Sequence, residues 1–522
     1  MKQKIFIVTI ALSATLFSCT KLNEKFNGDL PDLSQSANAN IDALLKGVYT
    51  SLHGTFQDQA NAFALTEMST DELIGPTRGP DWDDNGAWRV LHAHKWDGDN
   101  VHIRDVFNQL QGTIFASTDL LRFDSTSSKA AEARMLRAFA HFMLLDLYDQ
   151  VPYRDPGEST LLPSRVRKGT DELAYIMGEL TAILPSLPDG PAGKANKNAA
   201  KVLLMKCYLN KGVFANRAAP TFDAGDMNQV ISLADQIITT GGYTLAPNYF
   251  DNFAPTNTVT GKENIWVQEN VSGIPYGGDG NTVRSRYHTV MHYNQNPGGW
   301  NGFTTLSDFY DKFEATDARR GVAYPTPGAA NPGNRVNVGF LVGQQYNWAT
   351  DEALKDRTGA PLAFTPEVKL IETGTNLEVT GIRPFKYPID YANDGSGNVD
   401  NDYVYFRITD VLLMKAEAIL RGGSGTAAGP YGSTALDIVN YIRTSPSRGA
   451  SALASLTADQ LLDERGRELY LEGWRRQDMV RFGHFLDPFQ EKPQASDPKY
   501  LIYAIPNQQL AVNPNLQPNP GY

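Results

Sequence analysis

A chain of 522 residues with 41% hydrophobic side chains is long enough for two subregions, or for one core carrying long insertions. Its 58 acidic against 47 basic residues give a formal net charge of −11, which argues against nucleic acid and other polyanions as partners. The N-terminus carries two lysines and then an apolar run from Ile5 to Phe17, too short for a stable membrane span, and it reads as an export signal over residues 1–18. Leu16-Phe17-Ser18-Cys19 has the form of a lipobox, so Cys19 is the expected site of lipid attachment, and 19–40 the tether. Cleavage there removes Lys2 and Lys4 and shifts the net charge from −11 to −13. Cys207, the other cysteine, then has no partner for an intramolecular disulfide and is expected in the core.

From Ile41 to Leu52 and from His102 to Phe123, apolar residues recur at helical spacing, opening a helical region expected over 41–250. Between them, WDDNGAWRVLHAHKW places Trp82, Trp88 and Trp96 in a Gly/Pro-punctuated loop, preceded by Asp71, Glu72 and Arg78. Trp96 is expected in the core; Trp82, flanked by Pro and Asp, is expected to be exposed. The stretch 129–148 is apolar almost all round, with Leu136, Phe139, Met143 and Leu147 on one side and Phe142 and Leu145 on another, and should be buried. Its Arg134, Arg137, His141 and Asp146 then need partners, and the expectation is that some of them meet the carboxylates of 464–472. Further helices are predicted at 170–184, 196–211 and 227–239.

Over 251–404 the pattern changes to Gly, Pro, Asn and Asp with short apolar segments and frequent aromatics, a loop-rich insertion with small strands. Trp266, Trp300 and Trp348 fall here with Tyr276, Tyr287, Tyr293 and Tyr346, and Trp300 is expected to be exposed together with Trp82. Exposed aromatic faces stack on the C–H face of a pyranose while Asp, Asn and Arg take its hydroxyls, a combination suited to neutral sugar. His92 with His94, and His288 with His292, lack the order of a zinc hydrolase helix, and no metal is expected. Asp394, Asn398, Asp400 and Asp402 alternate as in a cation loop but lack the EF-hand order, which favours an Asx/Gly turn. No nucleophile elbow, phosphate loop or dinucleotide fingerprint is present, and no cofactor is expected.

The last region, 405–522, is predicted to hold three helices between 405 and 486. ERGRELYLEGWRRQDMVRFG, 464–483, concentrates charge in a helical context. On one helix, Leu462, Gly466, Leu469 and Gly473 share a face while Glu464, Glu468 and Glu472 line another. Such stacked carboxylates need cations, and Arg465, Arg467, Arg475 and Arg476 are within reach; Gly473 is a natural break before a turn carrying Arg475, Asp478 and Arg481 at steps of three. The charges read as a structural ion-pair lattice.

This segment, with EARMLRAFAHFMLLDLYDQVPY (132–153), YFRITDVLLMKAEAIL (405–420) and LIYAIPNQQLAVNPNLQPNPGY (501–522), resembles the SusD/RagB family of outer-membrane nutrient-binding lipoproteins. The resemblance implies a mainly α fold of about four tetratricopeptide-like helical pairs, discontinuous in sequence, although no period of about 34 residues is legible. It implies a non-catalytic, lipid-anchored protein at the cell surface, binding a polysaccharide or oligosaccharide and delivering it to a SusC-like TonB-dependent transporter. By position it implies glycan contacts from Arg78, Trp82, Asp83, Tyr287, Tyr293, Trp300 and Asn301. A peptide receptor of the same family and a surface glycosidase are the alternatives.

Overall fold

A computed structural model describes residues 39–274, 283–331 and 333–522; the export signal, Cys19, most of the tether and Tyr276 lie outside the described residues. Ile41–Tyr522 forms one compact unit. Ten helices of eight residues or more frame the described residues: α1 Ile41–Ser51, α2 Val101–Leu120, α3 Ser128–Tyr148, α4 Gly169–Ile183, α5 Lys197–Ala215, α6 Ala224–Thr240, α7 Ile408–Leu420, α8 Ala435–Arg443, α9 Ala458–Leu469 and α10 Arg475–Phe482. They pack as four pairs, α1 with α2, α3 with α4, α5 with α6 and α7 with α8, each pair resting on the next. The fold is therefore mainly helical and tetratricopeptide-like. The insertion enters after α6, yet α7 packs directly on α6, so the stack continues across the interruption. No described helix is long and apolar enough to cross a membrane.

Local chemistry fixes the helix starts. Asn100, Ser127, Asn196 and Asp223 accept backbone N–H bonds at the first turns of α2, α3, α5 and α6, and Thr434 and Thr457 close capping boxes with Asp437 and Gln460 at α8 and α9. From Ala130 to Tyr148 every residue of α3 except Arg134 is buried, which explains its lack of a polar face. Cys207 is buried in α5. At the chain end, Trp96 donates its indole N–H to the Tyr522 hydroxyl (2.7 Å), which in turn donates to the Ile502 carbonyl (2.8 Å).

The strands are small: β1 Thr77–Arg78, β2 Gln150–Tyr153, β3 Arg165–Lys168, β4 Asn264–Gln268, β5 Gly321–Val322, β6 Val338–Leu341, β7 Gly343–Gln344, β8 Ala363–Phe364, β9 Ile371–Glu372, β10 Arg383–Phe385 and β11 Tyr403–Arg407. They pair β2–β3, β4–β11, β7–β8 and β10–β6–β5 antiparallel, and β1–β9 parallel. The β4–β11 ladder stacks Trp266 on Tyr405 (centroids 4.1 Å apart), so Trp266 is core rather than surface.

The charged segment breaks as expected before 474, but four residues earlier than Gly473. Four helices, not three, lie between 405 and 486, because α9 ends at Leu469: Tyr470 is extended, Leu471 has φ 58° and Gly473 φ 85°. Glu472 thus leaves the face of Glu464 and Glu468. The partners of these acids come mainly from outside 464–483. Arg319 bonds Asp317 (2.7 Å), Glu464 (2.7 Å) and Glu468 (2.8 Å). Arg407 reaches Glu263 (2.9 Å), Glu468 (2.6 Å) and Glu472 (2.8 Å), Arg448 bonds Glu263 (2.9 Å) and Glu468 (2.6 Å), Arg443 bonds Glu464 (2.7 Å), and Lys386 bonds Glu472 (2.8 Å). Burial alone would raise the Glu468 carboxyl, but Arg448, Arg407 and Arg319 hold it well below the usual carboxylate range.

A second cluster joins Arg465 to Asp410 (3.0 Å) and Asp478 (2.7 Å), Arg481 to Glu417 (2.7 Å) and Asp478 (2.6 Å), and Lys206 to Asp410 (2.7 Å). Against burial, Lys206 and Arg465 pull Asp410 down to about 2, and Arg481 and Arg421 do the same for Glu417. Arg475 pairs with Asp71 (2.7 Å). The charges of α3 do not reach 464–472: Arg134 and Arg137 bond Glu179 (2.7 and 2.8 Å) and His141 bonds Glu172 (2.6 Å), because α4 covers that face. Asp146 alone meets the segment, at Arg476 (3.3 Å).

Beside this turn, Glu67 accepts from Gly473 N (2.6 Å) and Glu72 from Leu471 N (3.2 Å), both carboxyls fully buried. Burial, above all, pushes Glu67 up to about 7 and Glu72 well above its ordinary value, the latter reinforced by the charge of Glu67.

Candidate functional site

The residues singled out by position are partly gathered and partly dispersed. Arg78 is buried, its guanidinium donating to the carbonyls of Asn301 (3.0 Å), Gly302 and Thr380 (2.8 Å). Asn301, also buried, accepts from Arg383 (2.9 Å) through its side chain. Trp82 is half-buried against Trp88 and Phe303 (centroids 5.8 and 5.0 Å), and its indole donates to the carbonyl of Trp300 (3.0 Å). Gly302 makes that approach possible: a Cβ there would sit 2.5 Å from the Trp82 ring. Trp300 is half-buried beside His288, so the two tryptophans meet edge to backbone and do not form an open double platform.

Tyr287 is 1% exposed and donates to Asp394 (3.0 Å), which also holds His288 (2.6 Å) and Arg284 (3.1 Å), so its ring offers no free face. Tyr293 is half-buried, bonded to Asp81 (2.9 Å) and covered by Arg357 (4.0 Å to the ring centroid). Asp83, half-exposed, pairs with Arg89. Trp96 is 2% exposed. The rings of His92 and His94 bond backbone carbonyls of Met68, Gln490 and Ser69, and His292 bonds Glu378 (2.9 Å). The 390–402 stretch is a turn whose acids are engaged by protein groups: Asp390 accepts from Asn393 and Asp400 N, and Asp402 from Asn270 N.

An open concavity lies next to this region, in the same insertion. It is a cavity of about 270 Å³ bounded by residues 291–296, 324–351 and 385–391. The β7–β8 hairpin builds its aromatic wall. Tyr346 pairs with Ala353, Asn347 N donates to the Glu352 carbonyl (2.9 Å), and the Asn347 side chain accepts from Ala349 N (2.9 Å), a local turn that sets Trp348 at the hairpin tip. Trp348 packs at a tilt on Tyr391 (centroids 4.4 Å apart), and its indole N–H has no hydrogen-bond partner among the described residues. The opposite wall is held by Asn337, whose amide bonds the backbone of Tyr324 at both ends (2.7 and 3.0 Å).

Amide side chains dominate the polar lining, among them Gln295, Asn296, Asn334 and Asn347. The ionised lining consists of Arg335 and Asp351, and these are bonded to each other: Nε and Nη2 of Arg335 donate to the two carboxylate oxygens (2.9 and 3.3 Å), and Asn331 adds a third bond to Asp351 (2.8 Å). The hydrogen bonds from Arg335 and Asn331 hold Asp351 below its ordinary value. Arg335 also lies over the ring of Tyr346, 3.6 Å from its centroid. The cleft thus offers indole and phenol surface and amide donors and acceptors, with no uncompensated charge. Those are the elements with which a protein holds a polyhydroxylated ring.

Sequence reasoning placed Trp348 and Tyr346 in the aromatic insertion without choosing them. The signal available was GQQYNW, 343–348, which interleaves amides with aromatics.

Comparison with known proteins accounts for both halves of the molecule. The starch-binding protein SusD of Bacteroides thetaiotaomicron is 26% identical over 502 aligned residues, spanning 88% of this chain and 85% of its own. A SusD-like protein of Formosa agariphila, P2, is 24% identical over the full length of both. Among solved structures, surface glycan-binding protein A from Bacteroides thetaiotaomicron in complex with laminarihexaose superposes with a TM-score of 0.67 at 16% identity, over 92% of this chain and 98% of that one. The SusD family model matches residues 256–522, more than half of the chain and including the whole described cleft and both ion-pair clusters' α9 and α10, so the chain belongs to the SusD family.

Proposed function

We propose that this protein captures a glycan at the cell surface, without converting it, in the cleft walled by Tyr346, Trp348 and Tyr391. The observation that carries the reading is the cleft itself: the half-buried Trp348 indole and the rings of Tyr346 and Tyr391 beside amide side chains, in a family whose relatives include a starch-binding protein and one solved with laminarihexaose. A single carboxylate, Asp351, lines it and is tied to Arg335, whereas glycoside hydrolysis draws on two. Of the residues expected by position, Trp82, Asp83, Tyr293 and Trp300 keep accessible surface and extend the reading to secondary contacts near the cleft. Arg78, Tyr287 and Asn301 act as supports that hold those loops. Lipid on Cys19 would restrict the protein to the outer membrane, where a SusC-like TonB-dependent transporter receives the released sugar.

Calorimetric titration of residues 20–522 against neutral plant, fungal and storage polysaccharides tests the proposal. Modest affinity is expected, about −4 to −7 kcal/mol, which permits release. Trp348→Ala should abolish binding, while Trp82→Ala should weaken it. Unchanged binding by Trp348→Ala moves the site elsewhere; binding of peptides but no glycan turns the reading to a peptide receptor.

A further inference from the structure

The charge arrangement of the cleft says more than that it binds sugar. We infer that the cleft selects uncharged glycan over acidic glycan, and that Asp351 enforces the choice by keeping Arg335 neutralised; this rests on the reading of the cleft as the glycan site. Uronates and sulfated sugars are held by cations with donor capacity to spare, most effectively by an arginine presenting a bidentate fork. Arg335 is the one cation on the lining, and its Nε and Nη2 edge is already spent on both oxygens of Asp351. An acidic sugar brought to this rim meets the Asp351 carboxylate as well as the guanidinium, so the attraction that would offset the desolvation of its own carboxylate is cancelled and it binds more weakly than its neutral counterpart. A neutral sugar loses nothing, because amide side chains meet its hydroxyls and the aromatic faces its C–H surface.

The pair is placed to act this way. Asp351 sits at the end of the turn that carries Trp348, at φ 58°, and Arg335 comes from the facing segment, so the bond spans the cleft rim. Both side chains keep solvent contact, 43% for Arg335 and 27% for Asp351, within reach of a ligand. The stacking of Arg335 on Tyr346 holds the guanidinium in place independently of Asp351. Removing the carboxylate therefore leaves a positioned, unpaired cation at the rim.

The test compares a neutral oligosaccharide series, malto-, cello- and laminari-oligosaccharides, with the same chains oxidised at their primary hydroxyls to uronates. The wild type is expected to bind a neutral member and to bind its oxidised form at least about fivefold more weakly. Asp351→Asn, an isosteric change to a residue that tolerates positive φ, should raise the ratio of uronate to neutral affinity by about fivefold at low salt, the scale of one exposed ion pair. That gain should fade at high salt and disappear in the double variant Asp351→Asn with Arg335→Gln. Equal wild-type affinity for both forms overturns the selectivity, and no uronate gain in a folded Asp351→Asn overturns the role of Asp351. If Trp348→Ala leaves neutral binding intact, the cleft is not the glycan site and the inference falls with that reading.

Discussion

Glu67 and Glu72 show how far a single residue's surroundings can reverse its usual behaviour. Two carboxyls buried side by side under the 471–473 turn bind protons more readily when folded than when unfolded. Their contribution to stability is complete below the ordinary glutamate value near 4.5 and is lost as pH rises through about 7. Glu67→Gln should therefore raise denaturant resistance at pH 8 relative to the wild type and do little at pH 4, measured by urea titration at the two values. Glu468 behaves in the opposite sense, since three arginines converge on it. Glu468→Gln leaves those cations under-compensated in a dry site and should cost about 3–5 kcal/mol in the same assay. The charge density of 464–483 announced such a lattice, but its partners Glu263, Arg319, Lys386 and Arg407 lie too far off in sequence for any spacing rule to name them.

At the level of elements, helices were legible wherever apolar periodicity met a capping residue, and α1 to α6 fall within a few residues of the segments read from pattern. The exception is instructive. The 464–483 pattern satisfies a helix up to a break at Gly473, and only contacts from Glu67 and Glu72 to the backbone of 471–473 show why it ends already at Leu469. Gly473, at φ 85°, should resist replacement: Gly473→Ala forces a side chain into left-handed backbone at about 1–2 kcal/mol, readable as a lowered denaturation midpoint. In the insertion, short strands and Asx turns have no period to read, so Trp82 and Trp300 looked exposed by their neighbours alone. What decides exposure there is the packing of Phe303 and the missing side chain of Gly302, neither of which is local to Trp82 in sequence.

For the whole molecule, the insertion is fastened to the helical stack by buried ion pairs and by the β4–β11 ladder. Ile41–Tyr522 should accordingly unfold in one calorimetric transition, and two resolved transitions would show the insertion to be an independent body. The strongly depressed Asp410 and Glu417 add stability that is present above about 4.5 and drains away toward pH 2, so that single transition should move to lower temperature over the same acid range. The pairing of α6 with α7 has a kinetic consequence. The flank of α6 ending at Thr240 stays uncovered until the chain from Ile408 onward has arrived, and closing so long a loop is an entropic search that local helix formation cannot shorten. Nascent or refolding molecules will pass through a stage in which three of the four helical pairs are built and one apolar edge is open, the stage at which a holding chaperone has something to grip and at which crowded chains coalesce.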